Sequence, residues 1–262
     1  HCRSKTMIGF HRTTILLYPA TLLCILQLTF PFLVANAFAP TFSKNNVPNT
    51  ALRVATAKDY EATITSCKEF LCKAAESKAE DSELVLDSLL DLEKSMRKKR
   101  KAEGDSVAEE VLKNLTGDWR LIFTTGTVDT QERLKAKINY FPIKAMQSFD
   151  ATTEPMTITN GIFLGDFAVL KFFGDFQFDL VKSKVEFDFD RIVVLGFSID
   201  LPKAGAAKIG AKTGLGSKSN VKNAEKGKAA FFNWISADGN IATARGGGGG
   251  LALWKRVQLD ED

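Results

Sequence analysis

The chain has 262 residues, a formal net charge of +4 and 20 phenylalanines against three tyrosines. Both histidines, His1 and His11, lie in the first 37 residues with Cys2, Cys24 and three bases, so the rest carries no histidine and a net charge of +1. That balance lacks the footprint of a general nucleic-acid binder, and the missing imidazole excludes a Ser-His triad or a His zinc site.

In chain order, Arg12 is followed by an apolar stretch from Ile15 to Ala35 with Pro19 and Pro31 inside it, and no acid occurs before Asp59. A basic start, an apolar run and the exit Ala35-Asn36-Ala37 describe a secretory signal peptide over residues 1–37. A membrane-spanning anchor is the competing reading, since about 20 apolar residues can cross a bilayer. The prolines and the small-residue exit favour the signal peptide. Residues 38–58 hold Ser, Asn and Thr with Lys44, Arg53 and Lys58 and no acid, which is transit-peptide composition. Ala37-Phe38-Ala39-Pro40 at this junction resembles the two-part leader that sends nuclear-encoded proteins into the secondary plastids of diatoms and related algae. That resemblance implies import into a plastid through the secretory route, with Phe38 as the residue read.

Residues 59–115 read as helical. Ile64, Cys67, Phe70 and Leu71 recur at helical spacing, and so do Leu84, Leu86, Leu89, Leu90, Leu92 and Met96. Cys67 and Cys72, five apart, do not make a C-x-x-C pair and read as helix-borne thiols. The basic run Arg97 to Lys101 suits a helix C-terminus and reads as a solvated face, with a membrane or partner contact as the alternative. Gly104 stops the helix, and Ser106-Val-Ala-Glu109 has the form of a capping box for a third helix.

From residue 116 to 258 the period changes to two. Trp119, Leu121 and Phe123 alternate with Asp118, Arg120 and Ile122. Phe176, Phe178 and Leu180 alternate with polar neighbours, as do Val185, Phe187 and Phe189. "MTITNGIFL" and "FAVLKFF" read as further strands. Six to nine such strands without long helices between them predict an antiparallel sheet or barrel. With the helical segment, the expected fold class is α+β. Residues 203–228, with seven lysines among Gly, Ala and Ser, read as a basic loop. Asp238-Gly239-Asn240 signals a hairpin turn, and Gly246 to Gly250 a second one.

No enzyme constellation stands out. The glycine run lacks the Gly-Lys-Ser/Thr ending of a phosphate loop. Glu186, Asp188 and Asp190 line one strand face, but the alternating phenylalanines make that the wet face. Gly-x-Ser-x-Gly is absent, and "GLGSKS" at 214–219 is a loop. No cofactor and no metal site is implied. Inward phenylalanines either fill a small barrel or line a cavity for one apolar ligand; Trp119, Phe123, Phe176, Phe178, Phe187 and Phe189 are the candidate lining residues.

"NLTGDWRLIFTT", with Gly117-x-Trp119, resembles the first-strand signature of lipocalins and, more closely, of the plastid lipid-associated protein (fibrillin) family. The closing stretch, Asp238, Arg245-Gly246 and "LALWKR", is similar to the end motif of that family. The resemblance covers roughly residues 59–257. It departs at Ser236 and Ala242, where many members carry Tyr and Arg, and this puts a shared ligand in question. It implies a lipocalin-like barrel and a non-catalytic protein that binds a fatty acid, isoprenoid or pigment-like molecule, or coats plastoglobule or thylakoid surfaces. Arg245 is expected to stack on or lie near Trp119 and close one barrel end. A docking protein of a photosynthetic complex, with residues 59–115 as its arm, and a lipid-modifying enzyme are the alternatives.

Overall fold

The structure is a computed structural model that describes residues 57–127, 131, 140–202, 204–213 and 218–258. The leader expectations, Ala37 to Pro40 included, lie outside the described residues.

Three helices come first: α1 (Ala57–Ser77), α2 (Ser82–Glu103) and α3 (Ser106–Leu115). Asp81 caps α2 by accepting the Glu83 and Leu84 N–H groups, and Gly104 ends it at φ 71°. The capping box at Ser106 does not form. Ser106 already lies inside α3, its hydroxyl donates to the Glu103 carbonyl, and Asp105 precedes the helix without a side-chain cap bond. The turn after Gly104 is too short to leave Ser106 outside the helix; the Asp105 carbonyl accepts the first amides instead.

The strands are β1 (Gly117–Thr124), β2 (Lys144–Asp150), β3 (Met156–Leu164), β4 (Phe167–Asp179), β5 (Lys184–Val194), β6 (Phe197–Asp200), β7 (Ala230–Ala237), β8 (Ile241–Gly246) and β9 (Leu251–Arg256). All pairings are antiparallel. β9 pairs with β1, and β4 with β5, so eight strands close into a barrel, while β6 adds to the free upper half of β5. The two stretches "FAVLKFF" and "FQFDLV" join into the single long strand β4 across Gly174. The basic segment is not a bare loop. It folds as α4 (Gly205–Thr213) and α5 (Lys218–Glu225), which pack on each other, α4 against β5 and α5 against β7. Ala206, Ala207, Ala211 and Ala224 explain this, because alanine is the best helix former.

Two apolar clusters organise the molecule. The outer one seats α1 and α2 on the barrel wall through Leu71, Leu89, Leu92, Ile122, Ile235 and Leu253. Leu71, Leu89 and Leu92 are 0% exposed, and each contributes roughly 1.5–3 kcal/mol by burial. Leu84 and Leu90 stay exposed, so the buried stripe of α2 is narrower than its leucine pattern. The inner cluster fills the barrel and includes Val111 and Leu115 of α3, which therefore plugs one end. Trp119 Nε1 donates to the Leu115 carbonyl at 2.8 Å and ties the plug to β1.

Candidate ligand-binding lumen

Strand register decides which side chains enter the barrel. β1 carries an extra residue at Ile122, between the pairs Leu121↔Trp254 and Phe123↔Leu253. A bulge reverses the alternation beyond it. Trp119 and Leu121 point inward, but Phe123 points out, packs edge-on against Tyr140 at 5.5 Å and joins the outer cluster. Its expected place in the lumen is therefore corrected. Extra residues at Val169, Asp190 and Ile235 act likewise on β4, β5 and β7.

The other predicted lining residues share the inner cluster. Trp119, Phe176 and Phe187 are buried, and Phe178 and Phe189 are half-buried. Sequence reasoning missed Phe149, Phe232, Trp234 and Trp254, which complete an unbroken aromatic chain. Phe187 stacks on Phe232 at 5.2 Å, Trp234 meets Trp254 at 5.3 Å, and Phe149 bridges Trp234 and Phe176 at 5.5 Å each. Such pairs add about 0.5–1.5 kcal/mol each beyond area burial.

Among the described residues, Thr124, Gln147, Asn160 and Arg256 are the polar side chains at inward positions of the eight strands. Gln147 is 5% exposed and donates through Nε2 to Asn160 Oδ1 at 2.7 Å. Among the described residues its Oε1 has no hydrogen-bond partner, nor has the Nε1 of buried Trp234. An acceptor and a donor thus stand unpaired in an apolar lumen, each at a cost of about 1–3 kcal/mol. The wet-face acids Glu186, Asp188 and Asp190 point away from it, and no group of three His, Cys, Asp or Glu side chains among the described residues is placed to hold a metal.

The two ends of the barrel differ. At the α3 end, inward Trp119, Phe149, Ile158, Val185 and Ala242 are at most 2% exposed, while Met156 and Phe178 at its margin are half-buried. Toward the other end Leu121, Thr124, Asn160, Ile162, Phe172 and Phe232 are half-buried. Leu170, Ile192 and Val194 are buried there, at the β4–β5 edge where α4 packs against β5. The β3–β4 and β5–β6 turns lie side by side on this rim, joined by the Leu195 N–H donating to the Val169 carbonyl at 3.0 Å. They expose Leu164, Phe167, Leu195 and Phe197 at 43–62%.

The motif residues fall in two places. Arg256, not Arg245, covers Trp119, with its guanidinium carbon 4.2 Å from the ring centroid. Trp119 is registered opposite Arg256 on β9, which sets this contact. The Arg256 guanidinium also donates to the carbonyls of Thr116 (2.9 Å), Asn114 and Asp238 (3.2 Å), so it caps α3 and ties in the β7–β8 turn. Gly117 permits this: its φ is 125°, and a Cβ there would sit 2.7 Å from an Arg256 nitrogen. Arg245 points outward to α2 and donates to both Glu93 oxygens at 2.8 and 2.6 Å. This hydrogen-bonded pairing holds the Glu93 carboxyl below its ordinary pKa. Asp238 accepts the Asn240 and Ile241 N–H groups and pairs with Lys68 on α1 at 3.1 Å. Burial raises its pKa, but those two amides and Lys68 outweigh burial and lower it. Gly246 ends β8 and donates its N–H to the Gly250 carbonyl across the glycine turn.

No protein-family model matches the chain, and no curated protein matches it.

Proposed function

We propose that this is a non-catalytic plastid lipid-associated protein whose barrel holds one small, mostly apolar molecule, such as a fatty acid, isoprenoid or pigment-like compound, taken up at a lipid surface. One observation carries the reading: the exposed Leu164, Phe167, Leu195 and Phe197 rim lies at the end of the barrel that α3 does not plug. A lipid-facing rim would place the lumen entrance against a plastoglobule or thylakoid surface. The aromatic lining suits an apolar body. Gln147 Oε1 and Trp234 Nε1 suit a hydroxyl or carboxylic acid end, which both donates and accepts. The resemblance of the first strand and closing motif to the fibrillin family supports the same reading. The helical arm favours a docking protein less. Its exposed Leu84 and Leu90 are six residues apart and share no stripe.

Native mass spectrometry and lipid extraction of the protein purified from plastids test this. A stoichiometric apolar molecule is the expected result. An empty barrel that still floats with thylakoid lipid would reduce the function to a surface coat. An empty protein that stays soluble would overturn the proposal.

A further inference from the structure

The run Arg97 to Lys101 does not stay a uniform solvated face. Lys99 turns to Glu61 at 3.0 Å, and Lys98 and Lys101 are exposed. Arg97 and Arg100, three apart on α2, face a groove of about 280 Å³ between that helix and the outer wall of β7 and β8. Lys182, from the β4–β5 turn, and Asn233 and Arg245, from the wall, face it too.

Charge in the groove does not balance. Glu93 serves both Arg245 and, at 3.5 Å, Arg97. Asp179 holds Lys182 at 2.8 Å. Arg100 is half-buried and pairs with no carboxylate among the described residues, and its pKa is lowered by burial and by Arg97. Four cations from three parts of the fold therefore converge with two acids. Arg97 and Lys182 stay exposed, but Arg100 is held half-buried beside Arg97, and an anion that joins them would relieve the like-charge repulsion. Arginine forks match the oxygens of a tetrahedral oxyanion bidentately.

We infer that this groove is a binding site for a phosphate group, with Arg97 and Arg100 as its principal ligands, Lys182 as a third cation and the Glu93–Arg245 pair as the brace that positions them. The phosphate belongs either to a free phosphomonoester or to a phospholipid headgroup. The site lies outside the barrel and is independent of what the lumen holds.

The test uses the full chain and its variants R97Q, R100Q and K98Q. Inorganic phosphate is titrated at constant ionic strength, with calorimetry and thermal melting as readouts. Flotation on phosphatidylcholine vesicles, with and without phosphatidic acid, forms the second arm. Phosphate is expected to raise the wild-type Tm, and R97Q and R100Q each to weaken binding by about tenfold or more, as for loss of one charged hydrogen-bond partner. K98Q binds as wild type. R100Q without phosphate melts no lower than wild type, because Arg100 has no ion pair to lose. Capture only by phosphatidic acid vesicles, lost in R97Q and R100Q, would identify a headgroup as the source. Absence of both responses, or responses untouched by R97Q and R100Q, would overturn the site. A much lower Tm of R100Q without any phosphate effect would mark Arg100 as structural and overturn it as well.

Discussion

Arg256 shows how much a single side chain can connect. It stacks on Trp119, caps α3 and reaches the β7–β8 turn, while Gly117 leaves it room. Gly117→Ala is expected to lower unfolding free energy by about 2–3 kcal/mol in urea denaturation, through a positive φ and a displaced guanidinium. A wild-type midpoint would refute this account. Glu93 and Asp238 make the fold acid-sensitive. Both carboxyls have lowered pKa values, so the unfolded state takes up protons that the folded state does not. Their stabilisation is complete above the ordinary carboxylate pKa and is lost as pH falls through the lower folded values. Melting from pH 6 to pH 3 should show this loss, and Glu93→Gln should flatten its Glu93 part. The Cys67 thiol is raised by burial and by Asp91, so its alkylation should rise at a higher pH than that of an exposed thiol.

At the scale of elements, the bulges decide what each strand presents. Phe123 is 1% exposed beneath α1 and α2, on the wall rather than in the lumen. Phe123→Ala should therefore cost about 3–5 kcal/mol of stability yet leave the affinity for a lumen ligand unchanged in the folded protein. A selective loss of that affinity would return Phe123 to the site. The helical stripes, the two-residue period and the Asp238 turn were legible because they depend on neighbours within a few residues. The α4–α5 pair was not, since its lysines mask an alanine-rich helical preference. Ser106 misled because a capping signature describes any helix start, whereas here the Gly104 turn had already set the boundary.

For the whole molecule, the asymmetry of the barrel ends matters most. One end is plugged by α3, and the other joins half-buried lumen residues to an apolar rim. Replacing exposed Phe167 and Phe197 together by Ser should reduce vesicle flotation with little change in Tm; unchanged flotation would separate the rim from lipid contact. Gln147→Leu removes an unpaired buried acceptor but also frees Asn160. Its folded form should bind a hydroxyl- or acid-bearing ligand about tenfold more weakly, as expected for one lost hydrogen bond, while a purely apolar analogue binds as before.

Apart from α4 and α5, the sequence by itself determined the element types, the antiparallel character and the supply of aromatic side chains, because period, propensity and turn chemistry are local. Tertiary structure alone decided that Phe123 faces out, that Arg256 rather than Arg245 meets Trp119, and that Arg97 and Arg100 share a groove with Lys182. Each of these depends on which distant strands pair and in what register. Barrel closure imposes that register through backbone hydrogen bonds, and one extra residue in a strand is enough to reverse it.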